Sequence, residues 1–104
     1  WVGDCVDVMM WFLDNPKQSG IFNVGTGKAQ PFSALATAIF TALTKKPDIE
    51  FFEMPETLRE KYQYYTQADM SRLRKAGYKK PFTSLQDGTK EYVLKYLATA
   101  DPYR

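Results

Sequence analysis

Ile21-Phe-Asn-Val-Gly-Thr-Gly27 is the stretch of sequence from which the fold is predicted. Its first four residues form a short apolar run beside turn residues, which is typical of a strand. The two glycines after this run allow a tight loop, because glycine reaches backbone conformations that other residues avoid. From Phe32 to Lys45, apolar residues recur with helical spacing. We therefore predict a strand, a turn and a helix in this order.

Further secondary structure is predicted on both sides of this strand, turn and helix. Upstream, apolar residues at helical spacing predict a helix over residues 4–14, with Asp4 as its N-cap. Residues 1–3 resemble the end of a strand. Downstream, the apolar run from Ile49 to Met54 predicts a second strand, closed by proline.

The last third of the chain carries signals for helix ends. Thr57 and Glu60 have the spacing of a capping box, which predicts a helical turn near residues 57–62. Asp69 begins a further helix that ends at Gly77, since glycine is favoured at a helix C-terminus. Ser84 and Asp87 lie three residues apart at the start of the last predicted helix.

Strands separated by helices favour an α/β fold with short, parallel strands. We predict one domain over residues 1–104, because this length supports a single modest core. Two or three short strands make a poor sheet on their own. The chain also begins at Trp1 and not at a methionine. We therefore expect the natural chain to extend upstream of Trp1.

Composition excludes several classes of function. The net charge is +2 without a long basic run, whereas nucleic-acid-binding proteins usually carry a strongly basic face. There is one cysteine, Cys5, and no histidine. We expect no metal site and no Ser–His–Asp triad, because both draw on residues that are missing here. No internal disulfide can form, which favours the cytoplasm, and no stretch is apolar enough to cross a membrane.

Two cofactor motifs fail when they are tested residue by residue. Gly25-Thr-Gly27 lacks the third glycine of a dinucleotide fingerprint, since that position is Gln30. A P-loop fails as well, because Ala29 follows Lys28 where serine or threonine is required. No tyrosine has a lysine four residues later, which is the spacing of a short-chain dehydrogenase dyad. We predict no catalytic and no cofactor-binding residue in this chain.

The segment from Leu58 to Tyr65 is the part of the sequence that most resembles a binding site. It places Arg59 and Lys61 beside Tyr62, Tyr64 and Tyr65. Cations suit phosphate oxygens, and a tyrosine hydroxyl can donate to a phosphate. The alternative is a charged helical turn followed by tyrosines that pack in a core or an interface.

Several stretches together resemble the extended short-chain dehydrogenase/reductase family, which includes the NAD-dependent epimerases and dehydratases. Val2-Gly-Asp-Cys-Val-Asp-Val8 resembles one strand-to-helix turn of that family, and Ile21–Gly27 resembles another. Within the family, the later motifs are most similar to an enzyme that acts on an ADP-sugar. These motifs are Tyr62-Gln63, Thr66-Gln-Ala-Asp69, Leu73-Arg74, Ala76-Gly-Tyr78 and Lys80-Pro-Phe82.

The resemblance implies a nucleotide-sugar epimerase that binds NADP in a Rossmann domain upstream of this chain. It implies that this chain is the C-terminal, substrate-binding portion and that it is inactive alone. It also implies that the whole enzyme is a homo-oligomer. Tyr62 is implied to contact the ADP-sugar substrate, and Lys61 stands where the family often has a basic residue. A second interpretation stays open: a free-standing interaction domain, without catalysis, derived from such an enzyme.

Overall fold

In a computed structural model, which describes residues 1–101, five helices follow one another along the chain. The predicted domain includes three further residues, which lie outside the described part. The fifth helix continues into a single π-helical turn. The elements are α1 (Val2–Asp14), α2 (Phe32–Ala42), α3 (Glu56–Arg59), α4 (Ser71–Ala76), α5 (Leu85–Tyr92) and the π-turn (Val93–Leu97).

The predicted α/β fold is wrong, because no strand forms within residues 1–101. The segments predicted as strands, residues 21–24 and 49–54, are neither helical nor paired. A strand needs a second extended segment beside it to accept and donate its backbone hydrogen bonds, and here it has none. The side chains show the same lack of neighbours: Ile21 is 85% exposed and Phe52 is 87% exposed. Residues 2 and 3, predicted to end a strand, lie in α1.

The helix signals of the last third are largely confirmed. The Ser84 hydroxyl accepts a hydrogen bond from the Asp87 backbone N–H at 3.0 Å, which caps α5. Gly77 follows α4 with a φ of 114°, a conformation that favours glycine. The Thr57–Glu60 capping box is wrong, since Pro55 precedes α3 and no side chain caps it.

The core of the molecule is small and lies where α1 meets α4. Leu73 is fully buried there, with Val8 and Tyr78 beside it. Partly buried rings and a methionine complete this cluster: Trp11, Phe12, Phe22, Met70 and Phe82. A second contact joins α2 to α5 and the π-turn.

The chain leaves much of its surface uncovered. Its accessible surface is 8736 Å², whereas a compact protein of 12.0 kDa exposes about 6000 Å². Its radius of gyration is 17.2 Å, whereas a compact chain of this length has about 13 Å. Many large apolar side chains therefore lack neighbours within this chain.

Candidate functional site

A cleft of about 700 Å³ lies between two loops of the chain. One wall is the segment that leads into α2, where Pro31 precedes the helix with a φ of −70°. The other wall is the tyrosine-rich segment that follows α3. The lining residues are Ala29, Gln30, Pro31, Phe32, Tyr62, Gln63, Tyr64, Tyr65 and Thr66.

The tyrosine wall consists of exposed side chains. Tyr62 is 40% exposed, and its ring meets the Tyr64 ring edge-on at 5.3 Å between centroids. The Tyr64 hydroxyl lies 3.9 Å from the sulfur of Met54. Tyr62 therefore lines the cleft with a ring that a neighbouring ring supports. Its hydroxyl group can donate a hydrogen bond to an oxygen of a ligand in the cleft.

One side chain joins the two walls. The Gln67 carboxamide oxygen accepts from the Ala29 backbone N–H at 3.1 Å and from the Tyr65 hydroxyl at 2.8 Å. Gln67 was not singled out by the sequence, because its partner Ala29 lies 38 residues away. The only sequence feature that includes Gln67 is the motif Thr66–Asp69.

The two cations beside the tyrosines, Arg59 and Lys61, do not line the cleft. Lys61 is exposed at the turn after α3 and is not among the residues that line the cleft. Arg59 is also not among the lining residues and pairs with Glu53, with 3.2 Å between its Nη2 and a carboxylate oxygen. It also donates to the Met54 carbonyl. The structure thus brings the three tyrosines to the cleft, whereas neither Arg59 nor Lys61 lines it.

The glycine turn packs against residues 68–70. A side chain at Gly25 would lie 3.2 Å from the Cβ of Ala68, and one at Gly27 would lie 3.0 Å from the Cγ of Met70. Gly27 also has a φ of 67°. These glycines are explained by the close approach of residues 68–70.

Asp69 fixes the end of the segment that carries Gln67. Its carboxylate accepts from the Ser71 backbone N–H at 2.9 Å, at the start of α4. Hydrogen bonds from the Ser71 backbone and side chain hold the pKa of Asp69 below its usual value of 3.8. The Asp69 carbonyl also accepts from the Asn23 side chain at 3.2 Å. The sequence predicts that Asp69 caps this helix, which is wrong by one residue, because Met70 is the N-cap of α4 and no side chain caps it.

An apolar groove of about 730 Å³ adjoins the cleft. It runs between the start of α1, α2 and α5, and shares Gln30, Pro31 and Phe32 with the cleft. The groove is an uncovered face of the helical chain.

Within residues 1–101, no helix has the length and apolarity needed to span a membrane.

Comparison with known proteins gives a consistent result along the chain. A protein of Nitratidesulfovibrio vulgaris is 54% identical over 103 residues, which are 99% of this chain and 32% of that protein. A protein of Fusobacterium nucleatum is 44% identical over 109 aligned residues, with 33% of its length covered. Both are named ADP-L-glycero-D-manno-heptose-6-epimerase. No family model matches the chain.

This chain matches one third of a heptose epimerase. The resemblance inferred from the sequence motifs is confirmed, because nearly every residue of the chain aligns with these heptose epimerases. The share covered is consistent with the predicted C-terminal portion of such an enzyme. The alignment therefore includes both walls of the cleft, residues 29–32 and 62–66, together with Gln67.

Proposed function

We propose that this chain is the C-terminal, substrate-binding portion of an NADP-dependent ADP-glycero-manno-heptose 6-epimerase, an enzyme of lipopolysaccharide core heptose synthesis. The observation that carries the proposal is the 54% identity to a heptose epimerase along 99% of the chain. The chain spans about a third of the length of the relatives it matches. We also propose a cytoplasmic setting and a homo-oligomeric complete enzyme.

The proposal divides the work between this chain and the rest of the enzyme. The sequence has no Tyr-x-x-x-Lys pair, and the glycines at 25 and 27 are packed against residues 68–70. NADP binding and catalysis therefore belong to the remaining two thirds. This chain contributes one side of the substrate site and is inactive alone.

The ADP-sugar contact is assigned to Tyr62. Its ring lines the cleft and is supported by Tyr64. The hydroxyl group donates to an oxygen of the ADP-sugar, and such a bond to a charged phosphate contributes about 1.5–3 kcal/mol. Lys61 is exposed two residues after α3, and reaches the ADP-sugar only if its flexible side chain turns toward the cleft.

The first test is binding of ADP to the chain by isothermal titration calorimetry. We expect weak binding, because one half of a site is present, and loss of at least tenfold in affinity for Tyr62→Phe. Tyr96→Phe is a matched control, since Tyr96 lies on the π-turn, away from the cleft. If Tyr62→Phe and Tyr96→Phe both bind ADP as the original chain does, the assignment of Tyr62 is wrong.

The second test measures catalysis in a hybrid enzyme. Residues 1–104 replace the matching third of the Nitratidesulfovibrio vulgaris relative, and interconversion of the two ADP-heptose epimers is followed by chromatography. We expect an active hybrid, and about tenfold lower kcat/KM when it carries Tyr62→Phe. A folded hybrid that binds NADP but shows no epimerisation would contradict the proposed function.

The surface of the chain favours a second candidate, a free-standing interaction domain without catalysis. It exposes about 2700 Å² more than a compact protein of its mass. A domain of this kind would not bind ADP, and its mass in solution would rise with protein concentration. ADP binding that depends on Tyr62 separates the two candidates, because an interaction domain is not expected to bind ADP.

A further inference from the structure

We propose that Gln67 is a positioning residue that sets the width of the cleft, an inference that rests on the proposed function of the cleft as the ADP-sugar site. Its carboxamide oxygen is the acceptor for one donor on each wall. These donors are the Ala29 backbone N–H and the Tyr65 hydroxyl. A carboxamide oxygen has two lone pairs and can accept both bonds together.

The walls need such a link because they belong to segments without regular structure. Residues 28–31 precede α2, and residues 62–70 carry no helix or strand. The first wall is also held from the other side, where the Gln86 side chain donates to Gln30 at 3.1 Å. Gln86 lies on α5, so this wall is attached to the helical body. Gln67 then places the tyrosine wall relative to a fixed partner.

The consequence for binding follows from preorganisation. Tyr62 and Tyr65 lie on one short segment, and Gln67 holds that segment through the Tyr65 hydroxyl. A ligand that meets an ordered wall loses less free energy to the ordering of side chains than one that meets a mobile wall. Gln67 is not itself among the lining residues. It therefore affects ADP affinity through the position of Tyr62.

The test uses the 104-residue chain and two substitutions of Gln67 that differ in acceptor capacity. Gln67→Met has similar length but no strong acceptor, whereas Gln67→Glu keeps an oxygen for both donors. Gln67 is exposed, so both variants should keep the helical circular dichroism spectrum. Gln18→Met is the matched control, at an exposed position in the loop after α1.

The first readout needs no ligand: hydrogen exchange of the Ala29 amide, measured by NMR. We expect Gln67→Met to raise its exchange rate about fivefold, the factor that a bond worth about 1 kcal/mol produces. Gln67→Glu and Gln18→Met should leave the rate unchanged. An equal exchange rate in Gln67→Met and the original chain overturns the proposal.

The second readout is ADP affinity by calorimetry. We expect Gln67→Met to weaken ADP binding about fivefold, and Tyr65→Phe to add no further loss in the double variant, because both substitutions break the same link. Faster Ala29 exchange with unchanged ADP affinity also overturns the proposal. If the original chain binds no ADP, the proposed function fails, and the exchange of Ala29 alone decides whether Gln67 joins the walls.

Discussion

At the scale of single residues, the Asp4 carboxylate joins two distant parts of the chain. It is buried, and it accepts from the Thr83 backbone N–H at 2.9 Å and from the Thr83 hydroxyl at 2.8 Å. The sequence predicted an N-cap here, which is wrong, because α1 begins at Val2. Asp4 lies inside the first turn and holds the segment that leads into α5.

We expect Asp4→Ala to lower the free energy of unfolding by about 2–3 kcal/mol, since it leaves the Thr83 N–H without its charged acceptor. Asp4→Asn, which keeps an acceptor oxygen, should cost less than half of that. Urea unfolding followed by circular dichroism at 222 nm measures both. Equal losses for the two substitutions would mean that the contact with Thr83 does not stabilise the chain.

Asp69 gives a prediction for pH at the same scale. Its pKa is lowered in the folded chain by hydrogen bonds from Ser71. The unfolded state therefore binds more protons than the folded state near this pKa, and stability rises with pH there. The contribution of the Asp69 carboxylate to stability is complete above its unfolded pKa of 3.8. It is lost as the pH falls through the lower pKa of the folded chain.

Asp69→Asn isolates this effect, because asparagine can also accept from a helix start but does not titrate. We expect the original chain to be more stable than Asp69→Asn at about pH 7, and the difference to shrink toward about pH 3. Urea unfolding at the two pH values tests this. A difference that does not change with pH would show that the Asp69 carboxylate has the same pKa in both states.

At the scale of elements, α2 ends earlier than its sequence pattern predicts. The apolar spacing continues to Lys45, but the helix ends at Ala42. The Lys45 N–H donates to the Phe40 carbonyl, and the Thr44 N–H donates to the Thr41 carbonyl, which is the Schellman arrangement. It places Thr44 at a φ of 57°, a region where a β-branched residue is strained.

We expect Thr44→Gly to raise the free energy of unfolding by about 1 kcal/mol, because a left-handed conformation costs other residues about 1–2 kcal/mol. Thr41→Gly is the control with the opposite sign: Thr41 lies within α2, where glycine should destabilise by roughly 0.5 kcal/mol. Thermal unfolding of both variants tests this. A loss of stability for Thr44→Gly would contradict the strain at that position.

The helices could be predicted from the sequence, whereas the two predicted strands do not form, and both outcomes have one physical reason. The bonds of a helix join residues four apart, so spacing and caps such as Ser84 and Gly77 carry most of the information. The bonds of a strand join it to another segment. The runs at 21–24 and 49–54 have strand composition, but no partner within the described residues. Gln67 was missed for the same reason, since its contact with Ala29 is not local.

At the scale of the whole molecule, the uncovered surface decides how the chain behaves in solution. Phe51 and Phe52 are 80% and 87% exposed, and they lie in a segment without helix or strand. Burial of apolar surface is worth about 25 cal/mol per Å². Two adjacent phenylalanines in water therefore favour contact with another molecule, as large exposed apolar patches do. We expect the isolated chain to self-associate.

Light scattering should give a mass above 12.0 kDa that rises with concentration. Phe51→Glu combined with Phe52→Glu should shift this association to at least tenfold higher concentration, because the variant removes two exposed rings and adds two charges. It also lowers the net charge from +2 to zero. Lys45→Gln combined with Lys46→Gln changes the net charge equally and keeps the rings, so it should associate as the original chain does. A chain that stays monomeric at millimolar concentration would show that its apolar surface does not drive association.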